Sequence, residues 1–211
     1  MGHVFDPAAQ HGEVSTKIIA GLERLSHVFR WLLWNEAKVH GLSPIQIQTL
    51  VYLLYHDDRL CRVSQLAKEF QLTQPTVSDA VGTLEAKGLV TKQPWSEDRR
   101  VSTLQLTPEG RKLAEHLSKW ADVLMPHVEQ LSPKEQQQFM LTLMRLIASL
   151  QRAGIISIAR MCLTCRFFQP DYEPDSPAPH YCRLLEKPLS NAELRLDCPD
   201  QELAVSAAAS S

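Results

Sequence analysis

The sequence predicts a mainly α (α+β) protein: a winged helix-turn-helix lobe, a long helix at each end of it, and a small cysteine-rich C-terminal module. Three observations predict it. Between Val14 and Leu150 apolar residues recur at spacings of three and four, the mark of helices buried on one face. After Gly88 that period gives way to two β-prone runs, "LVTKQPW" and "VSTLQLT", separated by the polar turn "SEDRR". Four of the five cysteines, Cys162, Cys165, Cys182 and Cys198, gather in a proline-rich stretch near the end.

Each element has its own punctuation. The first helix is expected from Val14 to His40, with Ile18, Leu22, Leu25, Phe29 and Leu32 on one face and Gly41 at its end. Ser43 as N-cap and Pro44 at the first helical position restart the chain, and Ile47, Leu50, Val51 and Leu54 line a second helix ending near His56. Ser64 is read as the cap of a short third helix over "QLAKEFQL". Thr73 caps a fourth from Gln74 to Lys87, closed by Gly88 in the left-handed position. Beyond the two strands, Thr107-Pro108 opens a helix whose stripe, Leu113, Leu117, Trp120 and Leu124, runs to Pro126. Ser132-Pro133 opens the last, with Phe139, Leu143, Leu146 and Leu150 in register.

Composition bounds what this arrangement can do. A chain of 211 residues, 44% hydrophobic and 22% charged, is globular and holds one domain with an appendage. The domain is expected over residues 12–154, its helix-turn-helix lobe over about 43–112, the cysteine module over 160–200, and a flexible tail over 201–211. No apolar run approaches the ~18 residues that cross a bilayer. "MGHVFDPAAQHGEV" has neither the basic start nor the apolar centre of a signal peptide. The expected place is therefore the cytosol, with no membrane partner, where clustered thiols indicate metal more than disulfide. Net charge is −2, but it is unevenly spread: nine Lys/Arg against eight Asp/Glu from Ser43 to Leu113, four against eight from Met161 onward. Any nucleic-acid surface must be local.

Helices followed by a hairpin place the second helix of the pair in a DNA major groove and the turn of the hairpin at the backbone or minor groove. In "VSQLAKEFQLTQPTVSDAVGTLEAKGLV", Leu66, Ala67, Val77, Val81 and Leu84 are the expected packing positions. Gln74, Thr76, Ser78 and Asp79, with Thr73 and Pro75 in the same turn, are left to face base edges and phosphates.

From Thr16 to Leu150, and above all in "LTQPTVSDAVGTLEAKGLVTKQPWSEDRRVSTLQLTPEG", the chain resembles the MarR family of dimeric bacterial transcription regulators. The motifs that carry the likeness are Leu84-Glu85 with Gly88-Leu89, Asp98-Arg99-Arg100, and Leu106-Thr107 with Gly110. The resemblance implies an obligate homodimer interlocked through its first and last helices, bound to double-stranded DNA and answering to an effector. It also implies that Arg99 or Arg100 at the wing tip reaches DNA while the other braces the hairpin against Asp98. Lys92 stands where the family commonly has arginine, which keeps the charge and loses the bidentate fork. A repressor acting on a palindromic operator is the expected role. No glycine-rich phosphate loop and no Ser/His/Asp arrangement points to an enzyme, and His40 and His56 read as helix-terminal residues.

The cysteines form the second constellation. Cys162 and Cys165 flank two residues, so one turn can present both sulfurs to one metal; Cys182 and Cys198 follow after 16 and 15 residues. Four thiolates close a tetrahedral zinc shell, or hold an iron–sulfur cluster as the Cys198-Pro199 ending suggests; zinc is slightly favoured. His180 is an alternative ligand, Phe167, Phe168 and Tyr181 are expected to shield the centre, and Cys61 is read as a packing residue. With many prolines and little periodicity, this stretch is one that a metal would have to fold. Three rival roles stay open for it: a redox or metal sensor, an acidic arm docking a protein partner, and a loose tail with isolated thiols.

Overall fold

A computed structural model describes residues 4–6, 13–95 and 102–204. The wing-tip residues Asp98, Arg99 and Arg100 lie outside the described residues. The elements run α1 (Val14–His40), α2 (Pro44–Tyr55), α3 (Val63–Glu69), α4 (Gln74–Ala86), β1 (Val90–Pro94), β2 (Ser102–Leu106), α5 (Pro108–Leu117), α6 (Met125–Val128), α7 (Pro133–Arg152), β3 (Phe168–Gln169), β4 (His180–Cys182) and β5 (Lys187–Leu189). They divide into two compact units: Met1–Tyr55 with Asp79–Gln93 and Leu104–Leu124, and His56–Ser78 with Pro94–Thr103 and Met125–Ser211.

In the first unit α2 packs against both α1 and α5, and the core holds Ile47, Leu50, Leu104, Ala114 and Leu117 out of water. Helix ends follow the local chemistry of the sequence. Gly41 and Gly88 take φ of 59° and 68°, conformations that cost other residues energy. At the start of α2 the Ser43 N–H donates to the Gln46 side chain at 2.9 Å. At α5 the Thr107 hydroxyl accepts from the Gly110 N–H at 3.0 Å. Serine 132 and Glu135 cap α7 reciprocally, which the Ser-Pro signal alone had not disclosed.

Two expected elements differ. Helix α3 begins one residue before Ser64 and is capped by Arg62 through backbone, the Gln65 and Leu66 N–H groups donating to the Arg62 carbonyl at 3.0 and 2.9 Å. Helix α5 stops at Leu117 although its apolar stripe continues. The Ser118 hydroxyl donates to the Glu115 carbonyl at 2.9 Å, competing with the helical ladder. Leu124 falls in a 3₁₀ turn, Asp122–Leu124, and Pro126 lies inside α6 instead of ending a helix.

The larger difference is at the cysteine stretch, which carries more order than its composition suggested. Strands β3, β4 and β5 form an antiparallel sheet in which Phe168 pairs with Cys182 and His180 with Leu189. Met161, Leu189 and Leu194 share a core with Met144 and Ala148 of α7, so α7 supplies the apolar surface that the stretch lacks by itself. Residues 201–204, expected to fray, are tied back: Leu203 bridges to Cys165 and the Ala204 N–H donates to Thr164 at 3.1 Å. Residues 205–211 lie outside the described residues.

A capping box at Ser190 holds the turn that leads toward Cys198. Hydrogen bonds from the Ser190 N–H, from Lys187 and from the Ser190 hydroxyl pull the Glu193 carboxyl down to about 2. A carboxylate depressed in the folded state stabilises fully above its ordinary value of 4.5 and loses that contribution as pH falls toward about 2. The expected result is that Glu193→Gln lowers the urea midpoint at pH 6 and that the difference from the parent shrinks as pH falls through this window. A difference independent of pH would show that the charge of Glu193 plays no part.

Candidate DNA interface and cysteine recess

The first turn of α4 presents the expected polar residues. Thr73, Gln74, Pro75, Thr76, Ser78 and Asp79 are exposed, whereas Val77, Ala80, Val81 and Leu84 are buried. The backbone there is organised by Thr73, whose hydroxyl lies 3.3 Å from the Thr76 N–H and 2.8 Å from the Thr76 hydroxyl. Of the strands behind it, β1 and β2 pair in a two-stranded sheet. Trp95, the residue after β1, lies under the Arg62 guanidinium, 4.8 Å from ring centroid to carbon. Lys92 is exposed but meets Glu85, so its ammonium ties the strand to the end of α4.

The strand feet are joined by a compact knot. The Thr107 hydroxyl donates to the Gly88 carbonyl at 2.7 Å and the Thr107 N–H donates to the Leu89 carbonyl at 3.1 Å. Gly110 sits directly against that carbonyl. This accounts physically for the Gly88-Leu89 and Leu106-Thr107-(x)2-Gly110 patterns.

The four C-terminal cysteines line one recess, together with Phe167, Phe168, Leu184, Leu185, Leu189, Arg195 and Asp200. The Arg195 N–H donates to Cys162 Sγ at 3.2 Å, and Arg195 Nη1 lies 3.9 Å from Cys198 Sγ. Burial raises the Cys162 thiol; the Arg195 N–H opposes this, and Cys198, Cys165 and Cys182 add to the rise. Among the described residues, three metal-binding atoms come within 4.8 Å of one another at Glu36, His40 and His116, not among the cysteines.

Three expectations around the recess change. His180 is not a spare ligand: its Nε2 meets Asn191 Oδ1 at 2.9 Å and its Nδ1 accepts from the Asp171 N–H at 3.2 Å. Tyr181 stacks on Tyr172 with centroids 5.1 Å apart, leaving Phe167 and Phe168 as the aromatic wall. His56 is not merely terminal, since its Nε2 lies 2.8 Å from Asp197 Oδ2. Cys61 is the packing residue expected, 1% exposed, its thiol pushed up to about 12 by burial and by Asp58 and Asp57. His40 and His116 meet edge to face at 5.3 Å, and residues 76 positions apart carry no local signal of it in the sequence.

These features define the winged helix-turn-helix class of fold. A MarR family sequence profile matches residues 40–101. The chain is 29% identical over 122 residues to the uncharacterized HTH-type transcriptional regulator YdgJ of Bacillus subtilis, covering 57% of this chain and 64% of the relative. It is 29% identical over 145 residues to the HTH-type transcriptional repressor YetL of the same organism, covering 65% and 84%. The S. aureus MepR–DNA complex is similar in structure, with a TM-score of 0.53 and 29% identity over 61% of this chain and 94% of that one. Over this part of its length the chain is thus similar to transcriptional regulators of the MarR type. No helix of the described residues is long and apolar enough to cross a membrane.

Proposed function

We propose that the chain acts in the cytosol as a homodimeric repressor, reading a palindromic operator with the first turn of α4 in the major groove. Its cysteine stretch serves as a metal centre held by Cys162, Cys165, Cys182 and Cys198. The observation that carries the DNA reading is the sorting of α4: six polar or small residues exposed at its start, over a face of buried Val77, Val81 and Leu84. The repressor sense is borrowed from the name of the Bacillus relative YetL. The dimer is supported by α1, where Ile18, Leu25 and Phe29 are 53%, 48% and 43% exposed on one stripe.

Binding to fragments of the organism's own promoter DNA, measured by anisotropy against salt, tests the reading. Arg99→Ala and Arg100→Ala are expected each to weaken binding on all sequences and to reduce the salt slope by about 1. Gln74→Ala and Thr76→Ala are expected to relax sequence preference at individual base pairs at a cost of about 1–3 kcal/mol. Wing variants with the parent's affinity and salt slope would remove the docking geometry.

A further inference from the structure

We propose that the cysteine recess takes an iron–sulfur cluster in preference to a single zinc ion, and that loading it steadies α3, the first helix of the helix-turn-helix, through Arg160. This rests on the metal-centre reading above and deepens it.

The size of the site argues for the cluster. Zinc–sulfur bonds of about 2.3 Å bring four sulfurs to about 3.8 Å from one another. Here the cysteines stand round a recess, and no three of their sulfurs lie within 4.8 Å. A cage of iron and sulfide occupies the middle of such a ring, where one ion would leave its ligands stretched. The recess wall has the character such a cage requires: Phe167, Phe168, Leu184, Leu185 and Leu189 give it an apolar lining, and the Arg195 N–H points at Cys162 Sγ.

The coupling runs through a buried charge. Arg160 is 9% exposed, and its guanidinium donates from Nε to Asp197 Oδ1 at 3.0 Å and from Nη1 to Glu69 Oε2 at 2.8 Å. Nη2 lies 3.3 Å from His56 Nε2. Glu69 is the last residue of α3. The other side of the node belongs to the cysteines: Cys198 N–H donates to the Arg160 carbonyl at 2.7 Å, and Cys162 N–H to the Arg195 carbonyl at 3.1 Å. Cys162 and Cys198 are thus the two ligands whose backbones flank Arg160 and Asp197. Bound to one cluster, they pin the Asp197 segment against Arg160. Released, that segment is held to Arg160 by a half-exposed carboxylate, and its departure removes one of the two carboxylates that pair with this buried cation. The last turn of α3 is steadier when the ligands are tied. Arg59 adds a parallel contact, donating to the Pro199 carbonyl at 2.7 Å.

The test uses the full chain purified without oxygen, with iron, zinc and acid-labile sulfide measured. The metal-free chain is then reconstituted with ferrous iron and sulfide, or with zinc alone. Expected are more iron than chain, matched by sulfide, and amide exchange in Val63–Glu69 that slows about tenfold or more on loading. Glu69→Gln is expected to keep its iron and sulfide yet lose most of the slowing, whereas Cys198→Ser loses both. Stoichiometric zinc without sulfide overturns the cluster. Exchange in α3 that ignores loading, in protein that does hold the metal, overturns the coupling. Because exchange is read without DNA, a chain whose α3 responds but which retains no operator would mark failure of the DNA reading instead.

Discussion

Replacing Gly110 by alanine is expected to destabilise the chain by about 3 kcal/mol, read as a fall in urea midpoint at unchanged slope. A Cβ on Gly110 would stand 1.9 Å from the Leu89 carbonyl oxygen and 2.8 Å from its carbon. Backbone, not a flexible side chain, is in the way. Nor can that oxygen retreat without loss, because it accepts the Thr107 N–H at 3.1 Å, while the Thr107 hydroxyl holds Gly88 at 2.7 Å and caps α5. One methyl group therefore strains the closure that ties the start of β1 to the end of β2, and with it the base of the wing. Gly82, on the exposed side of α4 with nothing within 4 Å of its would-be Cβ, is the control. Gly82→Ala is expected to stabilise by about 0.5–1 kcal/mol, from lost freedom of the unfolded chain. Equal midpoints for Gly110→Ala and the parent would mean that the knot relaxes at no cost.

The knot also shows which parts of the molecule were legible in the sequence. Helix limits set by nearest neighbours could be read directly: Gly41 and Gly88 in left-handed conformations, Thr107 and Ser132 as caps before proline. The DNA-facing turn was legible for the same reason, since a period of three and four sorts Val77, Val81 and Leu84 inward and leaves Gln74, Thr76 and Ser78 outside. The break after Leu117 was not, because the apolar stripe continues through Trp120 and only a serine hydroxyl turned on its own helix ends it. Strands β3, β4 and β5 are two or three residues long, too short to show a period of two. Their apolar complement comes from α7, and only the folded chain shows it. The spacing of the cysteines gave the membership of the recess but not its width. Arg160 was invisible at that stage: its partners Asp197, Glu69 and His56 are 37, 91 and 104 residues away, and no window of sequence contains them.

Aspartate at both Ile18 and Leu25 is expected to convert the proposed dimer to a monomer and to weaken binding to a two-half-site operator by about 10²–10⁴-fold, while leaving binding to a single half-site nearly unchanged. The two positions are seven apart on α1, hence on one face, and are 53% and 48% exposed. Trp31 and Trp34 on the same helix are 63% and 53% exposed. A soluble monomer seldom leaves so much aromatic and aliphatic surface on one helix uncovered. Burying carboxylates in such an interface leaves charges without partners, which opposes association far more than the loss of two apolar contacts would. The core of the first unit is not disturbed, because α1 contributes Leu33 and Ala37 to it and not these residues. Sedimentation velocity at micromolar concentration gives the oligomeric state, and anisotropy on full and half operators gives the affinities. A palindrome with half-sites about one helical turn apart separates the two, since only a dimer spans both. A double variant that stays dimeric, or a monomer that keeps full affinity for the palindrome, would place the partner contact on a different face.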